Sequence, residues 1–212
     1  MYVMYMFYPT WFILNMLVTS IFTAFILCKL CNKPFFHPQL YNSSYIIHKI
    51  SNTCNVLVQY TINYNIIYYS IVQYKLQDYL EDSTSRILQN IQYVVVLEFI
   101  AYWVHRLSHS ITYIYKNAHS HHHSNHSIYP VDFLQVDYID NAMHALYMSL
   151  PLYVVPICNN DYTMIYYMYS IGGFLVHSDI ITRDHVIHHK MFKYNFCVLF
   201  PIFDIVFGTY KI

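Results

Sequence analysis

Long apolar runs separated by polar links dominate this chain, and they predict helices. Residues 3–28 carry almost no charged side chains. The run is long enough for a helix that crosses a bilayer, and it is too long for the apolar core of a signal peptide. Residues 87–104 form a second such run after a polar link over residues 75–86. We therefore expect a membrane-spanning helix at each of the two places.

Three further runs are less clear. Residues 54–74 are long enough to span but contain five Asn and Gln side chains, so an interfacial helix is the alternative. Residues 142–158 and 162–176 flank a polar turn and are near the lower length limit for a span. They form either a hairpin that enters the membrane and returns or two complete helices. The predicted fold is all-α, a polytopic membrane protein with about four transmembrane helices.

Composition agrees with a membrane setting. Apolar residues make up 57% of the 212 positions and charged residues only 10%, whereas soluble proteins are about one quarter charged. Eleven basic and eleven acidic side chains cancel. The chain therefore has no positive field of the kind that nucleic-acid binding requires, and we exclude a nucleic-acid partner.

The positive charges predict an orientation for this multi-pass protein. Lys29 and Lys33 follow the first apolar run directly, and basic residues favour the cytosolic side. Counting spans from there, the ends of the runs at residues 87–104 and 162–176 reach that same side. Histidines follow both ends, so we expect a histidine-rich cap on the cytosolic face.

The histidines themselves predict metal binding, because twelve of the fourteen follow residue 104 in groups with ligand spacings. His105 and His109 are four residues apart on a continuing helix, which places both rings on one face. Two HxxHH motifs repeat this geometry, and two isolated histidines are further candidates. Ten imidazoles exceed the four to six ligands of one ion, so two metal ions are expected. The predicted ligands are His105, His109, His119, His122, His123, His144, His177, His185, His188 and His189.

Other polar residues receive supporting roles or none. Glu98 lies two helical turns before His105 within the apolar run, where an unpaired charge is costly. We expect it to accept a hydrogen bond from a ligand imidazole, the alternative being a Tyr or Asn partner on another helix. Asp184, beside His185, is a weaker candidate for the same role. The remaining histidines are expected to be solvated or bystanders: His37, His48, His121 and His126.

The motifs resemble those of the fatty acid hydroxylase and sterol desaturase superfamily of membrane di-iron oxygenases. They are YWVHRLSH, YKNAHSHHH, VHSD, HVIHH and FDIVFGTY, and the likeness covers residues 94–210. On this pattern the HxxxH, the two HxxHH motifs and the lone histidine fall on the residues named above, and His144 matches a histidine that some members carry. The resemblance implies a catalytic domain over residues 87–212, preceded by an N-terminal membrane region over residues 1–86.

The resemblance also implies an activity. The expected cofactors are two iron ions, with zinc possible in a purified form, together with O2 and an external electron donor such as cytochrome b5. The expected reaction is hydroxylation or desaturation of a membrane lipid, such as a sterol or fatty acyl chain, in lipid biosynthesis. A eukaryotic member would work in the endoplasmic reticulum membrane. Short links near the site predict a contracted lid, and Ile205 stands where an arginine is usual.

Two other functions fit a histidine-rich membrane protein. A metal transporter or store would place its ligands at mid-membrane, whereas here they follow the ends of apolar segments. A non-catalytic relative would hold zinc with the same histidines, because neutral imidazole binds iron and zinc alike.

Overall fold

The computed structural model describes residues 2–38, 42–76, 83–125 and 127–212. These ranges contain no β-strand, which confirms the all-α prediction. The main helices are α1 (Tyr2–Leu30), α2 (Ser43–Ile67), α3 (Ser83–Ser110), α4 (Tyr138–Ser149), α5 (Asn159–Val176), α6 (Asp184–Met191) and α7 (Ile202–Val206).

Short irregular elements extend these helices and join them. Beyond its end, α2 continues through a π-helical stretch, Tyr68–Val72, and a last turn, Gln73–Lys75. After α3 the chain passes through a second π-helical stretch, Tyr115–His119, and two 3-10 turns, His122–Ser124 and Pro130–Leu134. This irregular path carries the first HxxHH motif across one end of the bundle.

The polar turn predicted at residues 159–161 is wrong, because these residues form the first turn of α5, and the chain instead reverses over residues 150–158. The helix before this reversal is short. Helix α4 has 12 residues, whereas a transmembrane helix needs about 20. A 3-10 turn, Leu150–Tyr153, replaces the helix after Ser149, because Pro151 and Pro156 lack the N–H groups that would continue it. Helix α4 is therefore not a complete span.

Two helices in the described part of the chain are long and apolar enough to cross a membrane: Pro9–Leu30 and Thr84–Ser110. Both expose large apolar side chains, such as Trp11 and Phe22 on α1 and Ile91 on α3. This pattern supports a helical membrane protein. A total of about four spans and a cytosolic cap remain predictions.

Tyrosine fills much of the interior. Helix α1 packs against α2 and α5, and α2 also packs against α4. Tyr60, Tyr64, Tyr93, Tyr162 and Tyr166 are each at most 2% exposed. Each buries a large aromatic ring, and the burial of such rings contributes strongly to the stability of helix packing.

Two ion pairs show which helix ends lie together. Lys33 Nζ, just after α1, lies 2.7 Å from Asp179 Oδ1, just after α5. At the other end of the bundle, Arg86 near the start of α3 pairs with Asp161 near the start of α5 at 2.6 Å. The end of α1, the end of α5 and the end of α3 therefore share one side of the bundle, as the span count predicts.

Candidate metal centre

Nine histidines converge at this end of the bundle, and they form two groups. The ligand nitrogen atoms of each group lie within 4.8 Å of one another. The first group is His105, His109, His119, His123 and His188. The second group is His122, His177, His185 and His189.

Each HxxHH motif is divided between the two groups. His119 and His123 belong to the first group, whereas His122 belongs to the second. In the other motif, His185 and His189 belong to the second group and His188 to the first. The residues four apart therefore share a group and the residue between them reaches across, so each motif links both groups.

Distances in the first group fit a bound ion. His188 Nε2 lies 3.0 Å from His109 Nε2 and 3.2 Å from His123 Nε2. His123 Nε2 lies 3.1 Å from His119 Nε2. Metal–nitrogen bonds of about 2.0–2.1 Å, with ligands about 90–110° apart, separate the nitrogens by about 2.8–3.4 Å. His105 Nε2 is buried without a hydrogen-bond partner among the described residues, so its lone pair is available to a metal ion.

The second group has the same spacing. His189 Nε2 lies 3.2 Å from His122 Nε2 and 3.1 Å from His185 Nε2. His177 Nε2 lies 3.4 Å from His122 Nε2. These four nitrogens are separated as the ligands of one four-coordinate ion would be.

Main-chain carbonyls select the tautomer of several rings. His177 Nδ1 lies 2.6 Å from the Gly173 oxygen, and His188 Nδ1 lies 2.7 Å from the Tyr194 oxygen. His105 Nδ1 lies 2.7 Å from the Phe196 oxygen. A carbonyl only accepts, so the proton of a neutral ring lies on Nδ1 and the Nε2 lone pair points into the group.

Burial keeps the imidazoles neutral, which is the form that binds metal. Burial lowers the pKa of His177 to about 4. The pKa of His189 is lowered to about 2, mainly by burial and next by the neighbouring His177 imidazole. Burial and the surrounding imidazoles also lower the pKa values of His122, His185 and His188 well below the usual value.

A mainly apolar cavity of about 100 Å³ meets both groups. His105 and His119 line it from the first group, and His122, His177 and His185 line it from the second. Its other walls come from α2, α3, α4, α5 and the Pro130–Leu134 turn, and include Tyr60, Val104, Phe133, Met143 and Val176. Gly173 permits this packing, because a Cβ there would lie 2.4 Å from the Phe133 ring.

His144 lies outside both groups, unlike the other nine predicted ligands. Its ring lines the cavity and packs edge-on against Tyr60 and Tyr147, with ring centroids 5.5 Å and 4.9 Å away. Asp140, one turn earlier on α4, is the residue that reaches the metal groups, through His119 Nδ1 at 3.0 Å. One further helical turn places His144 about 6 Å along the axis, away from the ligands.

Glu98 has different partners from the imidazole that we expected. Its carboxylate accepts hydrogen bonds from the Tyr169 hydroxyl at 2.8 Å and from the main-chain N–H groups of Val198 and Leu199 at 3.0 Å each. The Phe200 N–H is a further donor, at 3.2 Å. The buried charge is thus satisfied by another helix and by the segment before α7, which agrees with the alternative of a tyrosine partner.

Asp184 begins α6, and its two described hydrogen bonds are made by its main chain. Its N–H donates to Thr182 Oγ1 at 3.1 Å, and its carbonyl accepts from Asn195 Nδ2 at 3.1 Å. An imidazole contact, as expected from its position beside His185, is not among them.

The histidines expected to be bystanders have mixed outcomes. His121 and His48 are exposed, and His126 lies outside the described residues. His37 is not simply solvated, because its Nε2 lies 2.8 Å from Asp132 Oδ2. A sequence pattern does not show this pair, since its members are 95 residues apart.

Sequence reasoning also missed Asp140 and the carbonyl oxygens that orient the rings. Asp140 had a signal, because it lies one helical turn before His144 at the start of an apolar run. The carbonyls of Gly173, Tyr194 and Phe196 had none, because every residue has a carbonyl.

The sequence profile of the family described as "Fatty acid hydroxylase" matches residues 91–209. The chain belongs to the fatty acid hydroxylase family. This finding confirms the resemblance seen in the histidine motifs. Among curated relatives, a tobacco (Nicotiana tabacum) Delta(7)-sterol-C5(6)-desaturase is 25% identical over 130 residues, covering 56% of this chain and 48% of its own length.

Other relatives in this family come from Arabidopsis thaliana. Protein CER1-like 1 and the very-long-chain aldehyde decarbonylase CER1 are each 23% identical over 141 residues, covering 53% of this chain and 22% of their own lengths. The chain thus spans about half or less of these relatives. No solved structure matches the chain significantly. The names of these relatives describe a sterol desaturase and an aldehyde decarbonylase, and the names of the family and of the desaturase indicate an oxidoreductase.

Proposed function

We propose that this protein oxidises a C–H bond of a membrane lipid with O2, using two iron ions held by the nine converging histidines. One observation carries the proposal: both histidine groups face the same mainly apolar cavity. A lipid carbon in that cavity would lie beside both ions. The family match and the desaturase among the relatives support a lipid as substrate.

Iron bound by these ligands would supply the redox chemistry that O2 activation needs. The protein's contribution is geometric and electrostatic. The Gly173, Tyr194 and Phe196 carbonyls hold the rings, and burial keeps the imidazoles free of protons. The walls formed by residues such as Val104 and Phe133 exclude water from the reacting carbon.

The lining of the cavity suggests how the lipid enters. Ala101 and Val104 contribute to it from α3, one of the two helices suited to cross a membrane. An acyl chain or sterol could therefore reach the cavity from the bilayer without passing through water. Hydroxylation and desaturation would then differ in the position of the lipid relative to the ions.

The proposal extends to partners and setting. Complete reduction of O2 takes twice as many electrons as hydroxylation or desaturation of the lipid releases, so we include an external donor such as cytochrome b5 for the remainder. We place the protein in the endoplasmic reticulum membrane of a eukaryotic cell, with the ions near the cytosolic face.

The decisive experiment compares lipids from cells that express the wild type, His119→Ala or His121→Ala. His119 belongs to the first group, whereas the nearby His121 is exposed and serves as the control. We expect wild type and His121→Ala to form a product about 16 mass units heavier or about 2 lighter than its precursor, and His119→Ala to form none. Identical lipids in all three would overturn the oxidation and favour a zinc-binding, non-catalytic protein.

A further inference from the structure

A buried polar cluster lies beside the second histidine group, and the proposed function does not account for it. We call it the Asp132 cluster: His37, Lys49, Asn125, Asp132 and Gln135. Asp132 is 1% exposed and Lys49 is 8% exposed. Oppositely charged groups are rarely buried this deeply unless they are paired, and a buried pair often brings little net stability. Stability alone therefore does not account for the cluster, and its contacts with neighbouring segments indicate its role.

Asp132 gathers several donors on its two oxygens. Lys49 Nζ donates to Oδ1 at 2.7 Å, and His37 Nε2 lies 2.8 Å from Oδ2. The main-chain N–H of Tyr129 donates to Oδ2 at 2.9 Å. A carboxylate can accept all of these bonds because it has about four acceptor positions and no proton of its own. The carboxylate thus fastens the Pro130–Leu134 turn to α2 and to the segment after α1.

Gln135 connects this anchor to a predicted metal ligand. Its side-chain Oε1 accepts from Lys49 Nζ at 3.1 Å, and its Nε2 donates to the His121 carbonyl at 3.1 Å. Its main-chain carbonyl accepts from His122 Nδ1 at 3.3 Å. The residue held by Lys49 is therefore the one that orients the His122 ring.

Asn125 closes the cluster on the other side of the same loop. Its Nδ2 donates to Asp132 Oδ1 at 3.3 Å and to Gln135 Oε1 at 3.1 Å. The loop that carries His122 is thereby tied on both sides of the ligand, at His121 and at Asn125.

We propose that Lys49 and Asp132 are positioning residues for His122. Through Gln135 they keep the His122 proton on Nδ1 and direct Nε2 into the second histidine group. The inference rests on the proposed metal site. It adds that residues 91–209, which match the family, do not by themselves supply all the side chains that orient the ligands. Lys49 and His37 lie outside residues 91–209, so α2 and the segment after α1 complete the support of the second ion.

The test measures metal binding and not turnover. Co²⁺ is titrated into purified, metal-free, full-length protein in detergent, and its absorption spectrum and bound stoichiometry are recorded. We expect two ions in the wild type. In Asp132→Asn one ion should bind about 10- to 100-fold more weakly, the usual effect of removing a group that orients a ligand. The other ion should bind unchanged. Lys49→Met should weaken the same ion.

The double variant Lys49→Met/Asp132→Asn separates positioning from simple stability. Removing both charges leaves no unpaired buried ion, so the melting temperature should recover relative to Asp132→Asn. Because Gln135 has still lost its anchor, the affinity for the weakened ion should not recover. Full recovery of both would overturn the positioning role.

Asp161→Asn is the matched control. Asp161 is also a buried carboxylate, bound by Arg86 through two bonds of 2.6 Å, but at the opposite end of α5. This variant should lose stability and keep both ions.

Equal Co²⁺ affinities in wild type and Asp132→Asn would overturn the inference alone. Loss of both ions from Asp132→Asn together with its helix content would make Asp132 a folding residue and would also overturn it. A wild type that binds no metal would overturn the proposed function and the inference together.

Discussion

His122 Nε2 lies 3.4 Å from His177 Nε2, although each ring has its Nδ1 beside a main-chain carbonyl oxygen. If each ring is neutral and donates from Nδ1, both Nε2 atoms carry lone pairs and no proton lies between them. Two lone pairs at this distance repel unless a cation binds both. The relationship of these two atoms, 55 residues apart in sequence, is therefore the strongest sign of a metal in the second group.

Loss of one histidine from each group should remove a different ion. We expect His188→Ala to lose the ion of the first group and His122→Ala the ion of the second, so each purified variant holds about one ion instead of two. Elemental analysis against protein concentration measures this, with exposed His121→Ala as the control. If either variant kept two ions, the altered histidine would not be a ligand.

The metal-free protein should lose stability as the pH falls below neutrality. An unfolded histidine has a pKa of about 6.5, whereas burial lowers the pKa of His177 to about 4 in the folded protein. Between these pH values the unfolded chain binds a proton at His177 that the folded chain does not bind. The contribution of His177 to the free energy of unfolding is therefore fully present above about pH 6.5 and decreases towards pH 4. The difference corresponds to roughly 3 kcal/mol at the acid end.

Thermal unfolding of metal-free protein between pH 8 and pH 4 would measure this loss, and His177→Gln should reduce the slope. A melting temperature independent of pH across this window would contradict the buried, neutral state of the ring.

Glu98→Gln should weaken the fold and leave the metal content intact. The carboxylate bonds the Tyr169 hydroxyl and the N–H groups of Val198 and Leu199, and an amide satisfies fewer of these donors. We expect a loss of about 1–3 kcal/mol in the free energy of unfolding. Denaturant unfolding and elemental analysis of the same sample separate the two effects. Release of an ion would instead restore the expected link between Glu98 and a ligand imidazole.

His144→Ala should keep both ions but change the oxidation of the lipid. The ring forms part of the cavity wall against Tyr60 and Tyr147, so its removal enlarges the cavity without removing a ligand. We expect the oxidised position to change or the yield to decrease, as measured by mass spectrometry of the product. Metal stoichiometry is the control, and a drop to one ion would make His144 a ligand after all.

Gly173→Ala should force Phe133 into the cavity. The new Cβ would lie 2.4 Å from the Phe133 ring, and overpacking of this kind typically costs about 1–3 kcal/mol. Thermal unfolding and product formation should both decrease. The double variant Gly173→Ala/Phe133→Leu provides the room for the methyl group and should recover stability; an unchanged single variant would show that the ring moves freely.

Local spacing explains how six of the nine grouped histidines come together in pairs. Histidines four residues apart on a helical turn face the same side, so the pairs His105 and His109, His119 and His123, and His185 and His189 each meet within one group. His144, an isolated candidate at the start of an apolar run, lies outside both groups, because its position in the sequence does not tell how far along its axis a helix stands from the ligands of other segments.

The sequence by itself determined the helical class, the two apolar helices suited to a membrane, the family and most of the candidate ligands, because each depends on composition or on residues close together in the chain. The tertiary structure alone decided which histidines share a group, which donors hydrogen-bond to the Glu98 carboxylate, and which contacts join the Asp132 cluster to the loop of His122. Those depend on contacts such as that between Lys49 and Asp132, 83 residues apart. Local periodicity carries no information about such pairs, since they form only when the helices pack.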